Sequence, residues 1–168
     1  MEKFFYELLA TLIGIFAGSL LALAADRYNE KRKNKLRASI LLRSLERELS
    51  ENYDTIKNVR SDFINTPWGR SFYINTSAWD TALSSGDLPN IIGFELTDSL
   101  AKQYSYFIRS RYYVDLLTRL WFAPDNIQGY EEKRKGFNNA IIESLNRAIN
   151  RHQDVLEHIQ KVKKQMSG

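Results

Sequence analysis

From Phe4 to Ala25 the chain reads FFYELLATLIGIFAGSLLALAA, with Glu7 as its one formal charge. About 20 largely apolar residues suffice to cross a hydrocarbon core roughly 30 Å thick. Residues 1–26 are therefore expected to be a transmembrane anchor, with Glu7 near the end where headgroups can hydrate it. The competing reading is a cleaved signal peptide, because Ala22-Leu23-Ala24 before Ala25 has the small-x-small form of a cleavage site. Against it, Lys3 beside Glu2 makes no basic leader, and the residues that follow carry a dense positive run that resists translocation.

That run forms a juxtamembrane segment, residues 27–37. Arg27, Lys31, Arg32, Lys33, Lys35 and Arg37 stand against only Asp26 and Glu30, so the net charge of +4 of the whole chain is concentrated here. A duplex nucleic-acid binder spreads positive charge over a face of its folded domain, whereas a cluster beside a span meets lipid headgroups. Membrane lipid is thus an expected partner, and duplex nucleic acid is not. Basic residues stay on the cytoplasmic side, which predicts a single-pass protein of the cell inner membrane, N-terminus out, with the domain of residues 38–168 in the cytoplasm. Inside the span, Ala10, Gly14, Gly18 and Ala22 recur every four residues and would let a second helix approach closely. Such residues are also common in spans without partners.

No proline or glycine interrupts residues 19–66, so the anchor is expected to continue as one helix to about Phe63. Along it Leu42, Leu45, Leu49, Asn52 and Ile56 alternate spacings of three and four, the a/d pattern of a coiled coil. Two readings fit: a homo-oligomer seam whose register Asn52 sets, or one helix of an intramolecular bundle with Asn52 at the rim. Pro67, Gly69, Gly86, Pro89 and Gly93 break the next stretch, leaving a short helix near Ser77–Ser84. Ser77 and Asp80 resemble a capping box there, and Gly86 suits its end. Trp79, Ala82 and Leu83 would close one end of the core, with Trp68 nearby.

A further helix is predicted from about Phe94 to Phe122, carrying Leu96, Leu100, Phe107, Leu117 and Leu120, and stopping at Ala123-Pro124-Asp125-Asn126. The last runs from about Tyr130 to Met166, with Ile141, Leu145, Ala148, His152, Val155, Ile159, Val162 and Met166 on one seam. The predicted fold class is all-α: a transmembrane helix continuous with a long cytoplasmic helix, packed with two further long helices and a short one as a bundle.

Little catalytic chemistry is legible. The chain has no cysteine, and His152 and His158 lie about 600° of helical rotation apart, on different faces. No phosphate loop, nucleophile elbow or two-histidine metal motif is present, so the expectation is a non-enzymatic protein with no cofactor and no metal. The most suggestive polar stretch is KQYSYFIRSRYYVDLLTRLW, in which Lys102, Tyr106, Arg109 and Tyr113 share a face and Arg111 and Tyr112 flank it. Cations between tyrosine rings can pair with phosphates while the rings stack on bases. Lys102, Tyr106, Arg109, Arg111 and Tyr113 are thus candidates for binding a nucleotide ligand. The plainer reading is an amphipathic helix whose arginines cover apolar neighbours.

The stretch from Thr76 to Leu88, TSAWDTALSSGDL, follows an anchor and a helix containing Leu45-Glu46-Arg47-Glu48-Leu49 and Asn52. In this it resembles uncharacterised small prokaryotic single-pass membrane proteins with a cytoplasmic helical domain. The architecture is also similar to membrane effectors of CRISPR-associated antiviral defence. That resemblance implies an oligomeric sensor/effector whose bundle binds a nucleotide second messenger and relays it to the membrane helices. A constitutive scaffold or adaptor that holds another protein at the membrane is the alternative.

Overall fold

The computed structural model describes residues 2–65, 72–86, 88–122 and 128–167. Five helices are present among them and no strand: α1 (Glu2–Asn65), α2 (Ser77–Ser84), α3 (Leu88–Ile92), α4 (Phe94–Trp121) and α5 (Tyr130–Ser167). The chain divides into two compact units, Met1–Ala38 and Ser39–Gly168. Trp68, Pro67, Gly69 and the stop at Ala123-Pro124-Asp125-Asn126 lie outside the described residues.

In the first unit α1 is apolar and long enough to cross a membrane, and none of its apolar window is buried within the chain. Phe16 is 73% exposed and Leu21 72%. A soluble domain buries such side chains, at roughly 1.5–3 kcal/mol each. Ala10, Gly14, Gly18 and Ala22 are exposed here, and a Cβ added at either glycine would meet nothing within 4 Å.

The second unit is built around α4, α5 and residues 39–65 of α1. Asn138 Nδ2 donates to the Phe63 carbonyl at 3.1 Å, Arg60 Nε to Asn146 Oδ1 at 2.5 Å, and the rings of Tyr53 and His152 stack at 4.0 Å. Lys163 and Gln160 both reach Glu46. Residue numbers rise along α5 as they fall along α1, so these helices are antiparallel. Helix α4 also runs against α5: Tyr113 meets Phe137, Gln103 Nε2 donates to the Ala148 carbonyl at 2.9 Å, and Glu95 approaches His158 at 3.7 Å. The core joins Leu42, Leu45, Leu49, Ile56 and Phe63 to Leu100, Tyr104 and Phe107 of α4 and Ile141, Leu145 and Val155 of α5.

Of the two readings of the Leu42–Ile56 stripe, this burial fits the intramolecular bundle. Leu42, Leu45, Leu49, Asn52 and Ile56 are all at most 2% exposed within a single chain. An a/d stripe records only that a helix has one apolar face, and here that face is consumed by α4 and α5 of the same molecule.

Helix α3 is an addition to the predicted elements. Pro89 and Gly93 read as breakers, yet Pro89 occupies the first turn, where a missing N–H costs no helical bond. Gly93 closes the turn by donating to the Pro89 carbonyl at 2.8 Å, with φ 86° and ψ 154°, a conformation essentially restricted to glycine. In α2, Trp79 and Ala82 are buried as expected, but Leu83 is 51% exposed. With residues 79 and 82 facing inward, position 83 is rotated about 100° past the core-facing Ala82.

Candidate functional site

The predicted ligand face of α4 is only partly assembled. Tyr106, Arg109 and Tyr112, with Ser105 and Ile108, line one shallow depression on the outer side of the helix. Tyr112, at first a flanking residue, therefore belongs to the face. Tyr113 instead turns toward the core, where it packs 6.3 Å from Phe137. Arg111 is exposed but lies about 200° around the helix from Arg109. Lys102 is exposed and paired with Asp98 at 2.6 Å. Arg109 has no ion-pair partner among the described residues.

Arg147 of α5 adds a second cation that the sequence did not suggest. Its guanidinium lies 6.0 Å from the centre of the Tyr106 ring and pairs with Glu143 at 2.5 Å. The Tyr106 hydroxyl and then Glu143 hold it more firmly protonated than an ordinary arginine. The accessible chemistry of this face is therefore one unpaired guanidinium, a second at its margin, two tyrosine rings and the apolar side chain of Ile108.

A second constellation is buried and was hidden in the sequence. Glu48 is 3% exposed on α1 and accepts hydrogen bonds from the backbone N–H of Ala78 at 2.7 Å and of Trp79 at 3.2 Å. It also accepts from the Ser77 hydroxyl at 3.3 Å and from the Tyr104 hydroxyl at 2.5 Å. The first amides of a helix have no partner within it and carry the positive end of its dipole, so a carboxylate there is stabilised without a salt bridge. Four donors use about as many acceptor positions as a carboxylate offers. Burial, then the bond to Glu48, raises the Tyr104 hydroxyl far above its ordinary pKa, so it stays a donor.

One turn further along α1, Asn52 completes the clamp. Its Nδ2 donates to the Asn75 carbonyl at 2.7 Å, and its Oδ1 accepts the Asn75 N–H at 2.9 Å. The expected capping box at Ser77 and Asp80 is therefore corrected. Thr76 is the N-cap residue, its hydroxyl donates to Asp80 at 2.8 Å, and the open amides of α2 are satisfied by Asn75 and by Glu48 from another helix. Trp79 stacks on Tyr104, centroids 4.8 Å apart and planes 6° apart. The residues of the TSAWDTALSSGDL stretch thus dock α2 on the bundle, which accounts for much of that pattern by packing.

Glu48 could have been suspected from its spacing, since it lies three residues after Leu45 and four before Asn52, at the edge of the apolar stripe. His152 of α5 stacks on Tyr53 of α1, and its Nδ1 is buried without a hydrogen-bond partner among the described residues. Burial lowers its pKa below 6.5, with Asp54 pulling weakly the other way. The unfolded chain then binds a proton near pH 6.5 that the native chain refuses, so stability is full above that pH and falls as pH drops toward the native value. His152→Phe should flatten this loss, measured as the denaturation midpoint between about pH 7 and 5; an unchanged slope would assign it to other groups. Among the described residues no three of His, Asp and Glu gather as metal ligands.

No family model, curated protein or solved structure matches this chain.

Proposed function

We propose that this protein is a single-pass membrane adaptor whose cytoplasmic bundle engages another protein through the outer face of α4. The observation that carries the reading is the shape of that face. All five residues lining the depression come from one helix, so it is an open surface rather than a cleft. Small ligands favour concave sites that bury most of their surface. An exposed tyrosine and isoleucine beside an unpaired arginine instead suit a protein partner that offers an apolar side chain and a carboxylate.

The cysteine-free sequence permits a direct test. Single cysteines at Lys3 and Lys135 should be modified by an impermeant reagent in opposite compartments, position 3 in intact cells and position 135 only after permeabilisation. A photo-crosslinker at Tyr112 in the full-length chain should then yield one discrete adduct in native membranes, and Arg109→Glu should reduce it about tenfold or more, as loss of an interface anchor does. Labelling of both cysteines from one side defeats the topology, and an adduct indifferent to Arg109→Glu defeats the face.

A nucleotide sensor is the second reading, supported by Arg109 and Arg147 beside the Tyr106 ring. On this view the uninterrupted sequence between residues 19 and 66 carries a ligand-induced rearrangement to the span, and the small-residue stripe brings homo-oligomer partners together there. The ligand acts only by favouring one of two arrangements. A melting-temperature rise with cyclic oligonucleotides that Arg109→Gln abolishes would replace the adaptor reading with this one.

A further inference from the structure

The juxtamembrane helix carries more than diffuse charge. Leu20, Leu23, Ala24, Arg27, Tyr28 and Lys31 line one open depression on α1 within the first unit, all from a single helix. It is a surface along which a lipid already held in the bilayer can lie rather than a cleft that encloses a ligand. Ala24, a single methyl among longer side chains, leaves the recess at its floor. The apolar members lie on the N-terminal side and the polar ones follow, so the depression changes from hydrocarbon-lined to cationic within about three turns.

None of Arg27, Lys31, Arg32, Lys33, Lys35 and Arg37 has an ion-pair partner among the described residues, although Asp26 and Glu30 are close in sequence. Arg27 and Lys31 stand four residues apart, about 6 Å along the axis, with Tyr28 lining the same depression. A phosphodiester fits such a pair, the guanidinium offering two parallel donors and the ammonium a point charge. Lys33 and Arg37 project elsewhere, about 160° and 120° around the helix from Lys31.

We infer that this depression is a binding site for an anionic phospholipid of the cytoplasmic leaflet, its phosphate between Arg27 and Lys31 and an acyl chain along Leu20, Leu23 and Ala24. The inference rests on the membrane-spanning reading above. A choline headgroup brings its own cation toward the basic stripe, whereas a glycerol headgroup leaves the phosphate charge uncompensated. The site therefore selects phosphatidylglycerol over phosphatidylcholine.

The test uses the full-length chain in nanodiscs of equal phosphatidylglycerol and phosphatidylcholine, followed by detergent extraction and native mass spectrometry of the retained lipid. Wild type should retain phosphatidylglycerol about thirtyfold over phosphatidylcholine, the scale that two cations near a surface supply. The double variant Arg27→Gln/Lys31→Gln should fall to near parity, while Lys33→Gln/Arg37→Gln, with the same charge change, should keep most of the preference. Equal retention by wild type, or equal loss in both double variants, overturns the site. Alkaline carbonate extraction separates the two readings: a chain released from membranes sinks the span and this inference together, whereas a chain that stays but shows no lipid preference sinks the lipid site alone.

Discussion

Glu48→Ala is expected to destabilise the helical bundle by about 3–5 kcal/mol, measured by chemical denaturation of the full-length protein in detergent. The side chain accepts from two backbone amides and two hydroxyls, and the Trp79 amide and Tyr104 hydroxyl bonds are buried. Alanine leaves these donors without partners where water reaches poorly, and a hydrogen bond to a charged group is worth roughly 1.5–3 kcal/mol. Tyr104→Phe removes one donor and should cost about 1–2 kcal/mol. If the clamp acts as a unit, the double variant costs less than the two separate losses added together. Amide exchange should locate the damage, with α2 losing protection before α5. A Glu48→Ala protein within about 0.5 kcal/mol of wild type, the range of an ordinary surface change, would refute the clamp.

Asn52→Leu separates two meanings of an asparagine in an apolar stripe. At a subunit seam, leucine removes a polar defect, so it raises stability and frees the oligomer number to change. In this fold it strips both partners from the Asn75 backbone and should cost about 2 kcal/mol while leaving the mass of the detergent-solubilised particle unchanged. A stabilised protein of altered mass would restore the seam between subunits. The contrast is informative because Leu42, Leu45, Leu49 and Ile56 are buried within one chain.

The α4 face shows where sequence reading ran out. Lys102, Tyr106 and Arg109 follow helical spacing onto one side, and Tyr106 and Arg109 do line a common depression. Spacing alone did not tell Tyr112 from Tyr113, because adjacent positions differ by about 100° and only the line of approach of α5 decides which ring is covered. The position of Arg147 depends on the same antiparallel packing. Lys102 was claimed locally by Asp98, an i,i+4 pair on an exposed surface worth about 0.3–0.5 kcal/mol and readily exchanged for a partner.

By itself the sequence determined the apolar N-terminal helix, the basic run that follows it and the all-helical character of the rest. Uninterrupted apolarity, local charge and 3.6-residue periodicity are properties of contiguous residues, so neighbours in the chain suffice to specify them. Only the tertiary structure decided that the Leu42–Ile56 stripe faces inward, that Glu48 is the cap of a helix beginning 29 residues later, and that Asn52 holds Asn75. Such pairings join groups far apart in sequence and depend on how three helices align, and a buried carboxylate differs from a solvated one only in what folding brings to its oxygens.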